Sequence, residues 1–182
     1  VPGSTPQDPN HTSGTLEAHE YTHTIQAAQY FGTDRIDAGW CCSKAYLPWY
    51  LVEGQATWAQ DAAVYSTDFD QFLASRQLSI SDLVTTVPTR EWLIDFLNPP
   101  VAHPGDQQSW VDYQQWRLYD VGSIVVECLV AIGGIDATMQ LYRDTALGMT
   151  FQDAFKSHYG VAWSDAVPVL ADAIRAELQM KP

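Results

Sequence analysis

The sequence predicts a mainly α-helical fold that forms a single domain. Three observations predict it: apolar residues recur at helical spacing, residues that begin and end helices flank these stretches, and alternating strand patterns are nearly absent. A length of 182 residues, 46% of them hydrophobic, fits one domain with a substantial core. We expect residues 1–182 to form this domain, with residues 1–14 as an extended arm rich in Pro, Ser, Thr and Asn.

The first predicted helix carries a candidate metal-binding motif. It covers residues 15–31, which contain no Pro or Gly, and residues 19–23 within it read HEYTH, an HExxH motif. On a helix, His19 and His23 point from one face, so two imidazole nitrogens can bind one metal ion. Glu20 lies beside that face, where a carboxylate can activate a metal-bound water. The motif therefore predicts a metal-dependent hydrolase, provided that a third ligand exists.

The third protein ligand of a catalytic zinc site can be sought in three places. The residues after His23 contain neither the glycine nor the histidine of the metzincin pattern. Residues 32–34 faintly resemble the GTxD string of the aspzincins, but Asp34 comes one place early and Arg35 fills the ligand position. A turn after the helix is the alternative there. The third place is the segment around Glu53.

Residues 51–58, which read LVEGQATW, resemble the segment of a second helix that supplies a glutamate ligand in the gluzincin zinc peptidases. Four residues match the EGxAxW-like string of that family: Glu53, Gly54, Ala56 and Trp58. The 30 positions from His23 to Glu53 allow an antiparallel second helix, and Pro48 suits its first turn. The small residues would let the two metal-binding helices approach closely. An unpaired Glu53 in this apolar segment would be costly, which favours a ligand over the alternative of a solvated glutamate.

Further helices are predicted along the rest of the chain. Asp68 is suited to begin a helix over residues 68–78, and a short helix follows over residues 89–97. The last predicted helix covers residues 164–180. Its apolar residues form one stripe: Val167, Leu170, Ile174 and Leu178.

The resemblance to gluzincins continues after the candidate ligands. Residues 119–129 resemble the YxxGxxxxxxL helix that follows the zinc site in the M1-like branch of peptidase family MA, and a glycine break at 132–134 and a helix over 150–160 follow in the same order. In those families the tyrosine that opens this helix donates a hydrogen bond to the oxyanion. Tyr119 matches that position, with Tyr113 as its rival. A tyrosine packed at a helix start is the alternative interpretation.

The resemblance implies a zincin-like catalytic domain with two antiparallel metal-binding helices, a C-terminal helical half and little or no N-terminal sheet. It implies a zinc-dependent peptidase, in which His19, His23 and Glu53 bind one Zn²⁺ per chain. Glu20 would act as the general base and Tyr119 would stabilise the oxyanion of a peptide or protein substrate. Two other classes remain open: a zincin-like binding module without turnover, and a metal-free helical structural domain.

The sequence departs from the gluzincin pattern at three places. Thr57 stands where thermolysin-like members have an acidic residue that holds one histidine, so Asp61 becomes the candidate for that role. The glycine-rich exopeptidase string of M1 aminopeptidases is absent. Only residues 1–14 precede the first helix, too few for the usual sheet. An upstream segment, a second chain that completes the cleft, or a compact helical zincin are the alternatives.

Charge and cysteine content limit the partners and the location. The net charge of −13 argues against nucleic acid and anionic membrane surfaces as partners, and we expect no membrane insertion because Glu127 and glycines interrupt residues 121–135. Three cysteines do not make a disulfide framework, although Cys128 could bridge to Cys41 or Cys42 in an oxidising compartment. The chain lacks an initial Met and a signal peptide, so we interpret it as a mature or trimmed form. We predict a secreted or extracytoplasmic location.

Overall fold

The computed structural model describes residues 12–35, 46–98 and 117–180, and over these ranges 79% of the residues are helical and none is in a strand. The predicted mainly α fold is therefore confirmed. Tyr113, Cys41 and Cys42 lie outside the described residues, as does the predicted arm up to residue 11. The helices of the described part are α1 (Thr15–Ala28), α2 (Trp49–Val64), α3 (Phe69–Ser79), α4 (Ser81–Thr85), α5 (Arg90–Leu97), α6 (Arg117–Ala146), α7 (Phe151–Tyr159) and α8 (Trp163–Gln179).

Side-chain caps begin three of the described helices, α3, α5 and α7, close to where the sequence predicts them. The side chain of Asp68 accepts a hydrogen bond from the backbone N–H of Gln71 at 3.1 Å at the start of α3. Thr89 accepts one from Trp92 at 3.1 Å at the start of α5. Such caps satisfy backbone donors that have no partner within the helix. The short helix α4 was not predicted.

The first helix is shorter than the sequence predicts. Thr12 and Ser13 already have helical backbone rather than the extended backbone expected of the arm. At the other end α1 stops at Ala28, because the next backbone N–H groups bond to carbonyls three residues back, which tightens the chain into turns. A tertiary contact holds this turn, since the buried Tyr30 hydroxyl lies 2.8 Å from that of Thr145 in α6.

The central helix of the fold is α2, whose residues 50–57 are all buried between α1 and α6. It approaches α6 at Gly54 and Gly122. A Cβ built on Gly54 would lie 2.2 Å from the backbone carbon of Gly122, so neither position has room for a side chain. From the sequence, we expect Gly54 to let α2 approach α1, the other candidate metal-binding helix. The nearest neighbour at Gly54 is instead Gly122 of α6. The close contact joins α2 to α6, the helix of Tyr119.

The long helix α6 is broken where the sequence places a glycine break. Gly134 has φ 77° and ψ 167°, which interrupts the helical backbone. By length and composition alone α6 could cross a membrane, and half of its apolar stretch is buried inside the protein.

The C-terminal half forms the other part of the core. The predicted stripe of α8 is buried as expected: Val167, Leu170, Ile174 and Leu178. This helix packs on α5, at whose end the carbonyl oxygen of Leu97 accepts two hydrogen bonds. The donors are the Tyr50 hydroxyl at 2.9 Å and Nε1 of Trp163 at 3.0 Å. One backbone oxygen thus joins α2, α5 and α8.

The hydroxyl of Tyr159, at the end of α7, is buried without a hydrogen-bond partner among the described residues. Burial raises its pKa from the ordinary 10.0 to about 12. We expect Tyr159→Phe to stabilise the fold by about 1 kcal/mol, since it removes an unsatisfied buried polar group.

A second consequence concerns alkaline pH. Because the folded state holds the higher pKa, the wild type should lose stability as pH rises between about 10 and 12, and the variant should lose less. Urea unfolding at neutral and alkaline pH would measure both effects. A less stable variant at neutral pH would mean that the hydroxyl has a partner.

Candidate metal centre

Three potential ligand atoms converge where α1 meets α2. Nε2 of His23 lies 3.2 Å from Nε2 of His19 and 3.1 Å from Oε2 of Glu53, and the His19–Glu53 distance is 3.5 Å. His19 and Glu53 are buried, with 8% and 2% of their surfaces exposed. The structure thus brings together the three residues that the sequence proposes as ligands, and their ligand atoms lie within 4.8 Å of one another.

The proton of His23 is placed by the buried amide of Gln26. Nε2 of Gln26 donates to the backbone oxygen of Val52 at 3.0 Å, and a carbonyl can only accept, so this contact orients the amide. The amide oxygen of Gln26 then faces Nδ1 of His23 at 2.8 Å. Because that oxygen also only accepts, Nδ1 of His23 carries the proton, and in the neutral imidazole Nε2 then keeps its lone pair.

The proton of His19 is placed in the same way by Gln60 of α2. The amide oxygen of Gln60 lies 3.0 Å from Nδ1 of His19. Its amide nitrogen donates to the carboxylate of Asp61, which also accepts from the Ser75 hydroxyl at 2.9 Å. Nδ1 of His19 is therefore the donor. Asp61, which the sequence suggests as a histidine partner, reaches His19 only through Gln60.

The donor set fits a divalent cation. In this arrangement two imidazole lone pairs and a carboxylate oxygen face one another at 3.1–3.5 Å in a buried site. Three acceptors at these distances repel one another unless a proton or a cation lies between them. Two nitrogens and one oxygen form the ligand set of catalytic zinc sites of the His₂Glu type, which leave one position for water.

The two proposed catalytic residues line a cleft beside this cluster. The cleft has a volume of about 480 Å³, and His19, Glu20, Gln60 and Tyr119 line it. Glu20 is exposed, so its carboxylate is open to solvent and substrate. The ring of Tyr119 lies against His19, with 5.9 Å between their centroids. The structure therefore places Glu20 and Tyr119 on the wall that carries a candidate ligand.

The charged residues of the cleft wall are acidic: Glu20, Asp82 and Asp120. Burial raises the pKa of Asp120 above its ordinary range, while the paired guanidinium of Arg117 and the backbone N–H of Val121 act in the opposite direction. Burial likewise raises the pKa of Asp61, against hydrogen bonds from Ser75 and Gln60. A cleft with this lining would favour substrates that carry positive charge.

The alternative ligand Asp34 lies outside this cluster, exposed in the turns after α1. Its neighbour Arg35 has a structural role instead. The guanidinium donates to the backbone oxygens of Thr145 at 2.6 Å and Gly148 at 3.0 Å, where α6 ends. A cation at a helix C-terminus satisfies carbonyls and complements the helix dipole. The segment at 32–35 is therefore a turn that caps α6.

Sequence patterns did not identify Gln26 and Gln60 as hydrogen-bond partners of the histidines. The position of each glutamine on its helix could have indicated this role. Gln26 follows His23 by three positions on α1, which places both side chains on neighbouring parts of one helix face. Gln60 follows Glu53 by two helical turns on α2 and therefore shares its face.

Comparison of the chain with protein-family models, with curated proteins and with solved structures found no match.

Proposed function

We propose that the protein is a zinc-dependent peptidase of the gluzincin type. The observation that carries this proposal is the convergence of His19, His23 and Glu53, with Nδ1 of each imidazole facing a glutamine oxygen on the side away from the cluster. Glu20, adjacent in sequence to a ligand and exposed in the cleft, supports hydrolysis over simple metal storage. The ligand type and number agree with a catalytic rather than a closed structural zinc site.

Each group of residues in the cleft has a separate role in the proposed hydrolysis. A zinc ion held by the three ligands would lower the pKa of a bound water to about 7 and polarise the scissile carbonyl. Glu20 accepts the proton from the attacking water and delivers it to the leaving amine. Tyr119 donates a hydrogen bond to the oxyanion, a task that suits a phenol because it is neutral near pH 7. The acidic wall orients basic side chains of the peptide.

The metal content of the purified protein tests this proposal. Protein purified without chelator, then exposed to zinc and dialysed, should contain about one zinc per chain by elemental analysis. Glu53→Gln should lose most of this zinc, because it removes the anionic ligand. Glu91→Gln, an exposed glutamate on α5, should keep it. A wild-type protein without zinc after this treatment would support the metal-free structural domain instead.

A peptidase screen separates the enzyme from the binding module. Zinc-loaded protein should cleave casein or quenched peptides, and peptides with lysine or arginine near the scissile bond should be cleaved fastest. Zinc bound at one per chain without turnover over such a panel would favour the zincin-like binding module.

A further inference from the structure

Each of the two candidate histidine ligands is hydrogen-bonded to a glutamine, and the side-chain amides of these glutamines also donate hydrogen bonds. Gln26 is fully buried, with 0% of its surface exposed. Its Nε2 donates to the Val52 oxygen at 3.0 Å and to Oε1 of Gln55 at 2.9 Å, while its oxygen faces His23. A carboxylate in its place could accept from the histidine but could not donate to either oxygen.

The contact with Val52 ties one ligand to another. Val52 directly precedes Glu53, so the amide of Gln26 joins the ring of His23 on α1 to the backbone that carries Glu53 on α2. Gln55 extends this connection. Its Nε2 donates to the hydroxyl of Thr138 at 3.2 Å, beyond the break in α6. The amide of Gln26 thus joins the two ligand helices directly beside two of the candidate ligands.

Gln60 has the same double role for His19. Its oxygen accepts from Nδ1 at 3.0 Å and its nitrogen donates to Asp61. Asp61 is 4% exposed and also accepts from Ser75 of α3. The amide therefore stands between the imidazole and a buried carboxylate, and keeps the group in contact with the imidazole neutral.

We propose that Gln26 and Gln60 are positioning residues that fix both imidazoles with the proton on Nδ1, so that the two Nε2 lone pairs face the metal position before any metal binds. This inference rests on the proposed metal site. The imidazole rings need no reorientation when zinc binds. The free-energy cost of binding is therefore lower than at a site whose histidines populate both tautomers. The neutral amides also leave Glu53 as the ligand that supplies negative charge to the metal.

The test uses Gln60, which is half-buried and easier to replace than Gln26. Nitrogen chemical shifts of the zinc-free protein report which ring nitrogen carries the proton and whether each imidazole is neutral. The wild type should show Nδ1–H at both His19 and His23. In Gln60→Leu, His19 should lose this preference while His23 keeps it. The zinc dissociation constant, measured by competition with a chelator, should rise about 10- to 100-fold.

Two further variants make the result specific to the hydrogen bond. Gln60→Glu keeps the acceptor, so His19 should return to Nδ1–H even though the new carboxylate lies beside Asp61. Gln140→Leu, at a half-buried glutamine of α6, should change neither the tautomer nor the zinc affinity. The circular dichroism spectrum of each variant checks that the fold is retained.

Two outcomes would overturn the inference: a wild type with Nε2–H at His19, or a Gln60→Leu variant with unchanged tautomer and unchanged zinc affinity. Failure of the proposed function can be distinguished from failure of this inference. A wild type that binds no zinc would contradict the peptidase, while the tautomer measurement, made without zinc, would still decide the role of the glutamines.

Discussion

Replacement of Glu20 by Gln is expected to lower peptide hydrolysis on the order of 10³-fold without loss of zinc. The amide has nearly the shape of the carboxylate but cannot accept a proton from the attacking water. Glu20 is exposed in the cleft and is not one of the three clustered ligand residues, so the variant should fold and bind metal normally. Initial rates on a quenched peptide, together with elemental analysis of the same sample, measure both quantities.

The control for this experiment lies on the same helix. Glu17 is exposed one turn before Glu20, and Glu17→Gln should retain wild-type rates. Equal turnover by Glu20→Gln and the wild type would remove the proposed general base, and with it the mechanism. A loss of zinc in Glu20→Gln would instead show that this carboxylate helps to hold the metal.

A second large effect is expected at the contact between α2 and α6. The Cβ of alanine at Gly122 would lie 2.3 Å from the backbone oxygen of Tyr50 and 3.1 Å from Cα of Gly54. Backbone atoms of two core helices cannot move aside as a flexible side chain can. We expect Gly122→Ala to destabilise the fold by about 3 kcal/mol and to lower the melting temperature by about 10 °C. Because Glu53 adjoins Gly54, zinc affinity should fall as well.

Helix propensity alone predicts the opposite sign at this position. In a helix without such a contact, alanine is more favourable than glycine by roughly 0.5–1 kcal/mol. Ala131→Gly, on an exposed part of α6, measures that difference in the same helix. Thermal unfolding of both variants gives the comparison. If Gly122→Ala were as stable as the wild type, the two helices would not approach as closely as described.

Local sequence patterns were enough to predict the described helices other than α4, and the residues of the candidate ligand cluster. Helical spacing places His19 and His23 on one face, and the Glu53 segment is recognisable from neighbouring residues alone. Caps such as Asp68 act within one turn, so they too can be read from the sequence. The proposed zinc and the proposed chemistry remain predictions that the experiments above decide.

The features that depend on contacts between distant segments could not be predicted in this way. Gly54 signals a close approach, but only the folded chain shows that its partner is Gly122 and not α1. Gln26 and Gln60 are ordinary helix residues until the two helices meet at the histidines. The end of α1 was misplaced because the buried hydroxyl contact of Tyr30 lies far away in sequence.

The break at Gly134 limits the length of the straight helical segments in α6. A straight helix of the 30 residues in α6 would measure about 45 Å. The backbone angles at Gly134, φ 77° and ψ 167°, belong to a region that is essentially restricted to glycine. One residue without a side chain thus breaks what would be one straight rod into two shorter helical segments.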